Sequence, residues 1–146
     1  MTKRPLFTIG YEGKTLDELL GQLSDAGVRL LIDVRAVAAS RRPGFSKTAL
    51  SGALRERGID YLHLRPLGTP KAGREAARRG RIAEMHAIFD EQLETPEAEL
   101  AMEKAKAAAS DRPSALLCFE ADAGHCHRAV LAERLAAAEG FEIRDL

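Results

Sequence analysis

Apolar positions along the chain follow two rhythms. Short, mainly apolar runs at Phe7 to Gly10, Leu30 to Val34, Ile59 to Leu64 and Ala115 to Phe119 have the length and continuity of buried strands. Elsewhere the spacing changes to three and four, at Leu16, Leu19, Leu20 and Leu23, at Leu50 and Leu54, at Ile82, Met85, His86, Phe89 and Leu93, and at Val130, Leu131, Leu135 and Ala138. Each such set marks one face of a helix. Local signals place the ends. Thr15 with Glu18 three residues on forms a capping box, Ser46 caps the second helix, and Thr95-Pro96-Glu97 restarts a helix that runs towards Ser110. Gly27, Gly58 and Gly140 are the expected stops, and a last strand is expected near Phe141 to Ile143.

Strands and helices thus alternate, with two helices in one connection. Each return to the same sheet edge requires a crossover, so the pattern predicts an α/β fold: a single three-layer domain over 1–146, with a mainly parallel sheet of about five strands and helices on both faces. Ligands of such sheets sit beyond the carboxyl ends of the strands. Four strand exits carry Gly10 and Tyr11, Asp33 and Arg35, His63 and Arg65, and Glu120 and Asp122. Residues distant in sequence should therefore share one rim.

Composition narrows the picture in a few places. The formal net charge is zero, so whole-molecule attraction to nucleic acid or an anionic membrane is not indicated. The charge is uneven, however: residues 34 to 81 hold twelve Lys or Arg against three acids, and residues 82 to 103 hold seven acids and no base. Arg74, Arg78, Arg79 and Arg81 read as a solvated helix face, without interleaved aromatic residues for nucleic-acid stacking. No apolar run approaches the roughly 18 residues of a membrane span, and the N-terminus lacks a signal-peptide pattern, so a cytoplasmic protein is expected. Two cysteines do not make a disulfide framework, and reduced thiols are expected.

Most of the unusual chemistry lies between Ser114 and Leu131. Cys126 at a helix start would feel the helix dipole, which favours thiolate and hence a nucleophile or redox thiol; a small packing cysteine is the plain alternative. Successive helical side chains turn by about 100°, so Cys126 and Arg128 diverge unless Cys126 lies at or before the cap. His127 shares its spacing with Val130, Leu131 and Leu135, which suits a polar group over the core that positions the turn. Arg128 with Glu120 or Asp122 makes either an anion site held by a carboxylate or a structural ion pair, and Asp33 with Arg35 poses the same choice. His86 reads as a satisfied core histidine.

Other motifs fail on spacing. Gly10 and Gly13 have only two residues between them where a phosphate loop needs four. His125, Cys126, His127 and Cys118 are metal-ligand types, but adjacent helical residues diverge, so no metal is expected, and no cofactor.

Residues Thr8-Ile9-Gly10-Tyr11-Glu12-Gly13, Asp33-Val34-Arg35 with Ser40-Arg41 and Gly44-Phe45-Ser46-Lys47, Tyr61-Leu62-His63-Leu64 with Leu67-Gly68-Thr69-Pro70, and Cys118-Phe119-Glu120-Ala121-Asp122 with Cys126-His127-Arg128 together resemble the bacterial domain-of-unknown-function 488 family. The resemblance runs from about residue 7 to the C-terminus and implies a compact α/β domain. One departure is Ala38, where relatives tend to carry proline, which bears on the rigidity of that loop.

The expectation is a small enzyme that binds an anionic, phosphate- or nucleotide-like small molecule at the rim. Candidate catalytic residues are Cys126, Glu120 and Asp33; candidate ligand contacts are Tyr11, Arg35, Ser40, Arg41, His63, His127 and Arg128. The rivals are a nucleic-acid-binding or regulatory module using the basic 34–81 surface, and a thiol redox switch.

Overall fold

Strands and helices follow one another as the apolar rhythm predicts. The computed structural model describes residues 4–121 and 127–146. In chain order they form β1 (Pro5–Gly10), α1 (Leu16–Asp25), β2 (Leu30–Asp33), α2 (Lys47–Glu56), β3 (Asp60–His63), a 3-10 turn (Arg65–Leu67), α3 (Lys71–Arg78), α4 (Ile82–Leu93), α5 (Pro96–Asp111), β4 (Ser114–Cys118), α6 (Arg128–Glu139) and β5 (Glu142–Asp145). All five strands are parallel, in the order β3-β2-β4-β1-β5.

This order explains the layering. The chain moves outward from β1 through β2 to β3, then returns to place β4 between β2 and β1, and leaves by β5 on the far edge. Right-handed crossovers that run in opposite directions lie on opposite faces of a sheet. Accordingly, α1 and α2 cover one face through Leu19, Leu20, Leu23, Leu50 and Leu54, packed on Phe7, Ile9, Leu31, Ala115 and Leu117. On the other face α4, α5 and α6 bring Phe89, Leu93, Ala101, Ala105, Leu131 and Leu135 onto Leu6, Leu30, Ile32, Val34 and Leu116. Alternate residues of each inner strand thus serve opposite cores, as a strand buried on both faces requires.

Local signals set the ends of several elements. Thr15 and Glu18 form both halves of the capping box, and Thr95 caps α5 through the Ala98 amide. Gly27, Gly58 and Gly140 follow helix ends with positive φ. Ser46 occupies the N-cap of α2 but makes no capping bond; its hydroxyl instead accepts from the Ser40 amide at 2.9 Å and donates to the Ser40 carbonyl, closing the loop between them.

The connection from β3 to β4 holds three α-helices where two were expected. The extra one, α3, buries only Gly73 and Ala76 and so carries no large apolar stripe. It packs chiefly on α4, and Ala76 and Met85, though buried, belong to neither core. The helix therefore acts as a roof beyond the sheet. Among the described residues no helix is long and apolar enough to cross a membrane.

Candidate functional site

Two buried arginines frame the carboxyl end of the sheet. Asp33 and Arg35 leave the end of β2 on the same side. The guanidinium donates from Nε to Asp33 Oδ1 at 2.9 Å and from Nη2 to Oδ2 at 2.7 Å, while Nη1 donates to the Phe45 carbonyl at 2.8 Å. The Arg35 amide also donates to Asp33 Oδ1, and the Tyr61 hydroxyl donates to Oδ2. Burial alone would lower the Arg35 pKa, but the bonds and charge of Asp33 raise it further than burial lowers it. Burial and the bond to Asp33 raise the Tyr61 pKa, so the phenol stays a donor. Tyr11 stacks on Phe45 with ring centroids 4.7 Å apart, and Arg42 lies over Phe45 at 4.5 Å while donating to the Tyr11 carbonyl at 2.7 Å.

The second arginine, Arg128, is the largest wholly buried side chain. It donates from Nη2 to the Ala121 carbonyl at 3.1 Å and from Nη1 to the Glu120 carbonyl, and Nη1 lies 3.3 Å from Cys118 Sγ. The loop after β4 is thereby drawn across β1. A Cβ at Gly10 would collide with the Glu120 carbonyl oxygen and come within 2.7 Å of Arg128 Nη1, so only glycine fits there. His127, the N-cap of α6, bonds through Nε2 to the Val34 carbonyl at 2.7 Å and packs edge-on against Phe89. A carbonyl can only accept, so Nε2 carries the proton. Burial, aided by the charge of Arg128 and opposed by the bond to Val34, lowers the His127 pKa to about 4 and keeps the ring neutral near pH 7.

Above these groups lies a cavity of about 670 Å³. Its lining draws on the exits of β1 (Tyr11), β2 (Arg35, Ala36, Val37) and β4 (Cys118, Phe119, Glu120), with His127 below and Thr69, Arg74, Ala77, Arg78, Gly80, Ile82 and Met85 forming the roof. The charge of Arg35 is answered by Asp33. Among the described residues neither Arg74 nor Arg78 has a side-chain hydrogen bond or ion pair, so these two cations and the Glu120 carboxylate dominate the polar lining. Among the described residues no group of three His, Cys, Asp or Glu is arranged to hold a metal ion.

Of the residues singled out in the sequence, Tyr11, Arg35, Glu120 and His127 meet at the cavity. Asp33 and Arg128 lie behind it, buried as supports. Ser40 is tied to Ser46, Arg41 is exposed outside the lining, and His63 bonds through Nε2 to the Arg35 carbonyl at 2.8 Å. Asp122, His125 and Cys126 fall outside the described residues. Cys118 is disulfide-bonded, which corrects the expectation of reduced thiols. His86 is corrected too: its Nε2 is buried without a hydrogen-bond partner among the described residues.

The sequence model of the family described as domain of unknown function DUF488 matches residues 15–135. The chain belongs to that family. No curated protein and no solved structure matches the chain. The DUF488 match spans the exits of β2 and β4 and the whole roof, and leaves only Tyr11 of the cavity outside it. Within this DUF488 chain, sequence reasoning missed Arg74 and Arg78 as cavity residues. The available signal was their spacing of four inside an unbalanced basic stretch.

Proposed function

We propose that this DUF488 protein is a small enzyme that binds an anionic small molecule in the strand-end cavity, with Arg74 and Arg78 holding the anion. One observation carries the reading: two arginines one helical turn apart, without side-chain partners among the described residues, line a cavity at the place where parallel α/β sheets take their ligands. Arg35 and Arg128 serve a different purpose. Their guanidinium groups are spent on Asp33 and on backbone carbonyls, so they fix the floor and leave the roof arginines to meet the ligand. Glu120, half-buried on the cavity wall with its Oε2 3.4 Å from Cys118 Sγ, is the carboxylate placed to move a proton at the bound molecule.

Calorimetric titration with a panel of anions (phosphate, nucleoside monophosphates, sugar phosphates, citrate) tests this. At least one should bind the wild type, and R74A/R78A should weaken it about a hundredfold while the circular dichroism spectrum is unchanged. A panel without a binder, or equal binding by the double variant, would overturn the reading.

A further inference from the structure

The identity of the molecule that carries the anion can be argued from the rest of the lining, on the premise that the cavity binds an anion at Arg74 and Arg78. Residues four apart on a helix have Cβ atoms roughly 6 Å apart, so two guanidinium groups can converge on one tetrahedral group with several peripheral oxygens. A carboxylate, with two oxygens, satisfies one arginine and leaves the second unmatched. Phosphate is the better fit.

The other walls are apolar. Among the described residues four large hydrophobic side chains are substantially exposed, and two of them, Val37 at 55% and Phe119 at 43%, line this one cavity alongside Ala77, Ile82 and Met85. Exposed apolar surface gathered at one concave site marks a place where something else is meant to cover it. Phe119 is anchored by an edge contact with Tyr11, centroids 5.2 Å apart at 80°, so it is a positioned ring. A cavity of about 670 Å³ is also far larger than a bare phosphate needs. Thr69 and Glu120 add acceptors suited to hydroxyl donors on the same ligand.

We infer that the ligand is a nucleoside phosphate, its base lying against Phe119 and the apolar roof and its phosphate held by Arg74 and Arg78.

Calorimetry on the full chain with a dissected ligand decides it, using AMP, UMP, ribose 5-phosphate, inorganic phosphate and adenosine. The nucleotides should bind at least about tenfold more tightly than ribose 5-phosphate, the scale of one base stacked on one aromatic ring. Phe119→Ala should remove that advantage and leave ribose 5-phosphate unchanged. Phe119→Leu, which keeps apolar bulk, should still lose most of it, and guards against misfolding of the alanine variant. Ribose 5-phosphate binding as tightly as AMP, or Phe119 variants that bind AMP normally, would overturn the nucleotide assignment and leave the anion reading standing. Binding of citrate with no phosphate compound bound would do the same. Adenosine binding as tightly as AMP, or no anion bound at all, would overturn both.

Discussion

Asp33 grips Arg35 through two parallel hydrogen bonds, of 2.9 and 2.7 Å, with the carboxylate wholly buried and the arginine 6% exposed. Asp33 ends β2 and Arg35 stands two residues on, so a single short strand end supplies both charges. Removing one member of a buried pair leaves the other charge without compensation, which costs about 3–5 kcal/mol. Asp33→Asn should therefore lose stability of that order in urea unfolding. Replacing both with apolar residues, Asp33→Leu with Arg35→Met, should restore most of it. A single variant within about 1 kcal/mol of wild type would show that the pair is not fastening the rim.

Four glycines give a sharper test of close approach. Cβ atoms at Gly10 and Gly68 would strike the Glu120 carbonyl and the Ala36 backbone, respectively, whereas those at Gly21 and Gly52, inside α1 and α2, meet nothing within 4 Å. Gly21→Ala and Gly52→Ala should each stabilise by about 0.5–1 kcal/mol, the helical advantage of alanine. Gly10→Ala and Gly68→Ala should destabilise and weaken ligand binding together, because both displace the loops that floor the cavity. Thermal melts that shift the same way in all four variants would contradict this.

His127 predicts a pH dependence. Its folded pKa of about 4 lies below the ordinary imidazole value of 6.5, so between those values the unfolded chain binds the proton more readily. The stability it contributes is complete above about pH 6.5 and is lost as the pH falls towards 4, by on the order of 3 kcal/mol in all. His127→Asn, whose amide can still donate to the Val34 carbonyl, should flatten the stability curve over that window. Parallel curves for variant and wild type would show that the buried imidazole is not the group being titrated.

The sheet and most helices were legible because burial on two faces or one leaves an apolar period that few other structures produce. The helix α3 is not separable from α4 in the sequence because its buried positions are a glycine and an alanine, and two of its long side chains, Arg74 and Arg78, line a cavity instead of a core. Arg74 and Arg78 therefore carry the sequence signature of a solvated face. The meeting of Tyr11, Arg35, Glu120 and His127 was foreseeable, since parallel strands deliver their exits to one rim. What Arg35 and Arg128 do there was not. Arg128, and one nitrogen of Arg35, bond to backbone carbonyls, which every residue possesses and which leave no mark in sequence. The Ser46 hydroxyl was diverted in the same way, to the backbone of Ser40.

The most direct measurement is a crystal structure of the full chain grown with AMP. Phosphate oxygens within hydrogen-bonding distance of both Arg74 and Arg78, under the α3 roof, are the predicted result. AMP bound elsewhere, with neither arginine touching phosphate and the cavity empty, would contradict the account.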